Sequence, residues 1–167
     1  MSIHTKEYID SDATDSGEIK FLTFLQYKDF AENLWEYTLP FRFRYRGKTY
    51  CIPDHFVTDF YSIPRWLRWI FPNNQGVYNE SAGIHDWAVR NRKLLGFSLT
   101  DCHYVFNAAM RYQHMSTARR KVKFSAVYLF NWLVAEPGDG SIPEYMREAV
   151  NKKHQETQIK YYEASIS

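Results

Sequence analysis

Four side chains in this sequence have the type and spacing to do chemistry. His85 and Asp86 are adjacent in Gly83-Ile84-His85-Asp86-Trp87, Asp101 lies in Ser98-Leu99-Thr100-Asp101, and Asp59 lies in Val57-Thr58-Asp59-Phe60. They sit among apolar and aromatic residues. A carboxylate in such surroundings must be paired, hydrogen-bonded or metal-bound, because unsatisfied burial is costly. His85 is the natural general base, since an imidazole titrates near neutrality. Such a base needs a carboxylate on its other ring nitrogen, and Asp101 is the candidate. Asp86 and Asp59 are then free to hold a hard cation through oxygen ligands.

Each role has a plainer rival. Asp101 follows Ser98 by three residues and has the spacing of a capping box. Asp59 precedes a turn and can accept backbone N–H groups. His85 can be a satisfied core histidine, and Asp86 can complement a helix dipole. Helix geometry also bears on the His85–Asp101 pair. In a straight antiparallel helix pair His85 lies opposite roughly Val105, which leaves Asp101 about 6 Å away along the axis. His103, on the same helix as Asp101, is a rival metal ligand. No His/Cys cluster has zinc spacing. No Gly-rich phosphate loop and no nucleophile elbow occur.

The elements that must position these residues fall into two textures. From Ile19 to Phe56 the pattern is β, with strands expected at 19–25 and 35–39. Phe41-Arg42-Phe43-Arg44-Tyr45-Arg46 alternates aromatics with arginines, Gly47-Lys48 turns, and Thr49-Tyr50-Cys51-Ile52 returns as a hairpin. The arginine face is either solvated or phosphate-facing. Pro53, Pro64 and Pro72 then break regular structure across the segment 57–78. A short helix can start at Pro64 and carry Trp66 to Phe71, a patch suited to its own core or to a membrane surface. From Asn79 the pattern is helical. Asn79 or Ser81 caps a helix to about Arg92, Ser98 opens a second, and Ser116 a third through about Ala135. Ser141 caps a charged helix over about 143–153. Strands first and helices after is the α+β order. We expect an arm over 1–18, one α+β domain over 19–135, and a loop, helix and tail over 136–167.

Composition narrows the classes. The 167 residues suffice for one domain with a core. Aromatics reach 18%, which suits a ring-rich core or a partner surface. The net charge of +2 is spread out, and the dense cluster Arg119-Arg120-Lys121 with Lys123 is short of a nucleic-acid stripe. Cys51 and Cys102 are far apart, which fits a reducing compartment. No apolar signal core opens the chain, and the longest apolar run is too short to span a bilayer. The expected location is the cytoplasm of a host cell or a virion.

Three blocks carry a family resemblance. They are His55-Phe56-Val57-Thr58-Asp59-Phe60-Tyr61-Ser62-Ile63-Pro64-Arg65, Ala82-Gly83-Ile84-His85-Asp86-Trp87-Ala88-Val89, and Thr100-Asp101 through Met110. They resemble domain of unknown function family 1353, common in tailed bacteriophages and prophages. The motif positions are Thr58, Phe60, Ser62, Pro64, Arg65 and Trp87. The His-Asp helix with a later aspartate also looks like secreted-type phospholipases A2. That likeness implies His85 activating water, Asp101 orienting it, and calcium on Asp86. Two positions depart from the family pattern. Its glycine before Phe56 is His55, and its aromatic four residues after the histidine is Val89. The resemblance implies a phage accessory protein with a hydrolase-like site. The opposed expectation is a virion or host-interaction module with a protein partner, in which the His/Asp residues are structural. A lysis accessory resting on the patch 66–71 is a third.

Overall fold

The computed structural model describes residues 17–31, 34–60, 78–133 and 152. Within them the α+β order holds. Six strands precede four helices: β1 (Ile19–Phe21), β2 (Tyr27–Ala31), β3 (Leu34–Tyr37), β4 (Phe41–Tyr45), β5 (Lys48–Ile52), β6 (Val57–Thr58), α1 (Asn79–Arg90), α2 (Arg92–Leu95), α3 (Leu99–Tyr112) and α4 (Thr117–Leu133). The expected helices over 64–71 and 143–153 lie outside the described residues, as do the arm up to 16 and the tail.

The strands form two antiparallel sheets of three, ordered β1-β4-β5 and β2-β3-β6. The β4–β5 hairpin forms as expected, but its turn is one residue earlier. Tyr45 pairs with Lys48, so Arg46 and Gly47 make the loop. Both have positive φ, 47° and 76°, as a two-residue turn of type I′ requires. Arg46 therefore leaves the arginine face and bridges to Asp101. The strand expected over 19–25 is shorter in the structure, and β2 carries too little apolar alternation to stand out in the sequence.

The inner faces of both sheets pack against α1 and α3. Tyr37, Phe41, Phe43, Tyr45 and Ile52 meet Ile84, Trp87 and Ala88 of α1 and Val105, Ala108 and Ala109 of α3. A second cluster, Phe106, Met110, Met115 and Phe124, seats α4 on α3. Helix α1 is buried on nearly all sides, including Asn79, Ser81, His85, Asp86 and Arg90. A helix so enclosed must satisfy its polar side chains inside the protein. Its small residues allow close approach. At Gly83 a Cβ would overlap the Tyr37 hydroxyl and stand 3.3 Å from the Phe60 ring.

Candidate functional site

The first two sequence blocks meet where β6 runs against α1. Thr58, fully buried, donates its hydroxyl to Asp86 Oδ2 at 2.5 Å and accepts the Phe60 amide at 3.0 Å. That second bond curls 58–60 into a tight turn with Phe60 at φ 51°. Phe60 is held there by the rings of Tyr27, Trp35 and Tyr37. The turn lays the Asp59 carboxyl against that of Asp86, with a hydrogen bond between them. Asp86 is buried and Asp59 half-buried, so the pair runs from the interior toward solvent.

The electrostatics follow from that placement. Burial, and next the like charge of Asp59, push the Asp86 carboxyl up to about 7, against the pull of Arg90 and the Thr58 hydroxyl. Arg90, one turn along α1, is buried beside them. It donates to the Val57 carbonyl at 2.5 Å and lies over the Phe56 ring.

His85 points the other way, into α3. Its Nε2 is 3.2 Å from His103 Nδ1, the rings stack, and Phe106 covers its face at 4.9 Å. Its Nδ1 lies 4.0 Å from Asp86 Oδ1. Burial, and then the neighbouring imidazole, hold His85 well below its usual value, and burial takes His103 down to about 4. Two neutral imidazoles joined by one hydrogen bond share a single proton in that bond. His103 Nε2 is buried with no hydrogen-bond partner among the described residues.

Asp101 is not in this arrangement. It closes a capping box on α3: its Oδ2 accepts from the Ser98 amide at 2.9 Å, and its own amide donates to Ser98 Oγ at 3.1 Å. Its other oxygen faces Arg46 at 3.8 Å. Residues two positions apart on a helix point about 200° apart, so a helix that aims His103 at His85 turns Asp101 away. The His85–Asp101 pair does not form, and the capping alternative is the one realised. His103, weighed as a metal ligand, lies against His85. Trp87 is a core residue, edge-on to Phe43 and Tyr50. Ser62, Pro64 and Arg65 lie outside the described residues.

Among the described residues no three His, Cys, Asp or Glu side chains converge as a metal cluster. Asp59 and Asp86 are the two that come together, and they supply oxygen ligands suited to a hard cation. The sequence signal missed Tyr37 and Arg90. Both are long-range partners whose roles depend on β3 and β6 meeting α1. Tyr37 is fully buried, and its hydroxyl stays above the ordinary phenol value through burial and then the Asp86 charge.

A second polar group lies at the end of the β5–β6 connection. His55 has φ 62°, the left-handed region that favours glycine. In this chain its ring reaches Glu36 at 2.5 Å, with Lys28 at 3.0 Å on the other oxygen. Burial raises the Glu36 carboxyl, and these hydrogen bonds outweigh it and lower it overall.

No curated protein and no solved structure matches the chain. The family described as "Protein of unknown function (DUF1353)" matches residues 35–127, from β3 into α4, and so takes in β6, α1 and α3. With more than half of its length matched, the chain belongs to the DUF1353 family.

Proposed function

We propose that the chain is a tailed-phage accessory protein with a hydrolase-like site centred on the Asp59–Asp86 pair. The supporting observation is the convergence of Thr58-Asp59 with Asp86 at the junction of β6 and α1. A carboxyl held up to about 7 can give and take a proton at neutral pH, as acid–base catalysis requires. Asp59, on the solvent side, is the member of the pair that meets substrate or water. Asp86 holds a proton behind it, and Thr58 fixes the orientation of Asp86. His85 keeps a neutral imidazole beside Asp86. The same two carboxylates are the proposed ligands of a divalent cation, calcium by the phospholipase likeness. A bound cation would supply charge stabilisation to the reacting oxygen.

A second reading has a specific observation behind it. His85 and Asp86 are each 9% exposed, and their polar atoms are largely taken by Thr58, Asp59 and His103. On that reading the network only ties β6 to α1 and α3, and the chain is a virion or host-interaction module. Hydrolysis assays separate the two. Fluorogenic phospholipids and simple esters, with and without calcium, should be turned over by the parent chain and by Asp101→Asn. Asp59→Asn and Asp86→Asn should lose that turnover by at least about a hundredfold. No turnover by the parent, or equal turnover by Asp86→Asn, leaves the structural reading.

A further inference from the structure

The outer face of the β1-β4-β5 sheet carries charge and apolar surface that neither the core nor the carboxylate pair uses. Arg42 and Arg44 alternate outward along β4, two residues apart, about 7 Å along the strand. Lys20 of β1 is the cross-strand partner of Arg44. On the other side Thr49 pairs with Arg44 and Cys51 with Arg42, both exposed and small. None of the three cations has an ion-pair partner among the described residues. Glu18, the acid on this side of β1, lies at the far end, where its carbonyl accepts the Arg46 amide.

At the Arg42 end the surface turns apolar. The Leu22 amide donates to the Arg42 carbonyl, the Thr23 hydroxyl reaches the Pro40 carbonyl, and the Thr38 amide donates to the Gln26 carbonyl. Residues 22–26 thus run beside 38–42. These adjoining segments carry three exposed apolar side chains: Phe24 at 91%, Leu39 at 50% and Leu22 at 40%. Apolar side chains exposed together on a domain surface mark an interaction site.

We propose that this end of the sheet docks on an anionic phospholipid surface. Phe24, Leu22 and Leu39 enter the headgroup–acyl boundary, and Arg42, Arg44 and Lys20 meet lipid phosphates behind them. Apolar side chains at the tip with cations in a row above them is the order in which a bilayer presents its layers. A single-stranded nucleic acid would use the cations and the one ring, but it gives the two leucines nothing to stack on. The inference stands on this face alone and does not need the Asp59–Asp86 site to be catalytic.

The test is sedimentation of the full chain with phosphatidylcholine vesicles, with and without phosphatidylglycerol. The parent should sediment with the phosphatidylglycerol vesicles at low salt and release at about 0.5 M salt, where charges are screened within a few ångströms. The double variant Arg42→Glu/Arg44→Glu should lose that binding. Phe24→Ala should weaken it by about tenfold or more while keeping its salt dependence. All these positions are exposed, and circular dichroism should show unchanged folding. Failure to sediment overturns the proposal. So does binding that survives both variants, which would place it elsewhere on the chain. Tighter binding of an oligothymidylate than of the vesicles, with loss in the same variants, would assign the face to nucleic acid and equally overturn it.

Discussion

Asp86 shows how one residue's chemistry is set by what packs around it. On sequence its helix position allowed a dipole role or a metal role. In the fold it is enclosed, bonded to Thr58 and pressed against Asp59. Its folded value of about 7 lies above the ordinary carboxyl value of 3.8, so the folded protein keeps a proton that the unfolded chain gives up. The stability contribution is complete below about pH 4 and is lost as the pH rises to about 7. Asp86→Asn removes that loss. The melting temperature of the variant, minus that of the parent, should climb from about pH 4 to about 7 and then level, as thermal melts across pH would show. His103 has the opposite sign. Its value falls from 6.5 to about 4, so its contribution is present above 6.5 and lost as the pH drops toward 4. Gly83 and Tyr37 give a steric prediction at the same scale. Alanine in a helix interior ordinarily stabilises by about 1 kcal/mol over glycine. Here the added methyl would strike the Tyr37 hydroxyl, and Gly83→Ala should instead destabilise by about 1–3 kcal/mol. Tyr37→Phe in the same chain should recover part of it in denaturant titrations. Recovery stays partial because the ring carbon Cζ remains 3.1 Å from the new methyl.

At the scale of elements, local signals were legible and long-range ones were not. The capping box at Ser98 and Asp101 needs three residues of spacing, and the structure has it. The hairpin was legible from alternation, but its turn moved by one residue because two positive φ angles had to fall between paired strands. The His85–Asp101 pairing required the relative rotation of α1 and α3, which no local pattern encodes. The packed helices bring His103 to His85 instead. An Asp101 that only caps and meets Arg46 makes a definite prediction. Asp101→Ala should cost about 1 kcal/mol in denaturant melts, as loss of the hydrogen bonds it makes to Ser98 does, and leave any hydrolytic turnover within about twofold of the parent. A loss as large as that of Asp86→Asn would restore Asp101 to the site. His55 offers a second test of an element. Glycine there would relieve the left-handed backbone but remove the ring that meets buried Glu36. These effects oppose one another, and His55→Gly should be within about 1 kcal/mol of the parent in stability.

For the molecule as a whole, strands before helices was enough to give the α+β class, because each texture has its own period. The motif segment was harder to read. Its Thr58-Asp59 half acquires meaning only when β6 is set against a helix more than twenty residues later. The family match takes in both halves of that junction. The proposed site depends on Asp59 helping to hold the Asp86 carboxyl up. Carbon-13 NMR titration of the Asp86 carboxyl group reads this. Asp86 should titrate near 7, and Asp59→Asn should move its midpoint down. An Asp86 resonance that titrates alone, near the ordinary carboxyl value and indifferent to Asp59→Asn, would contradict it.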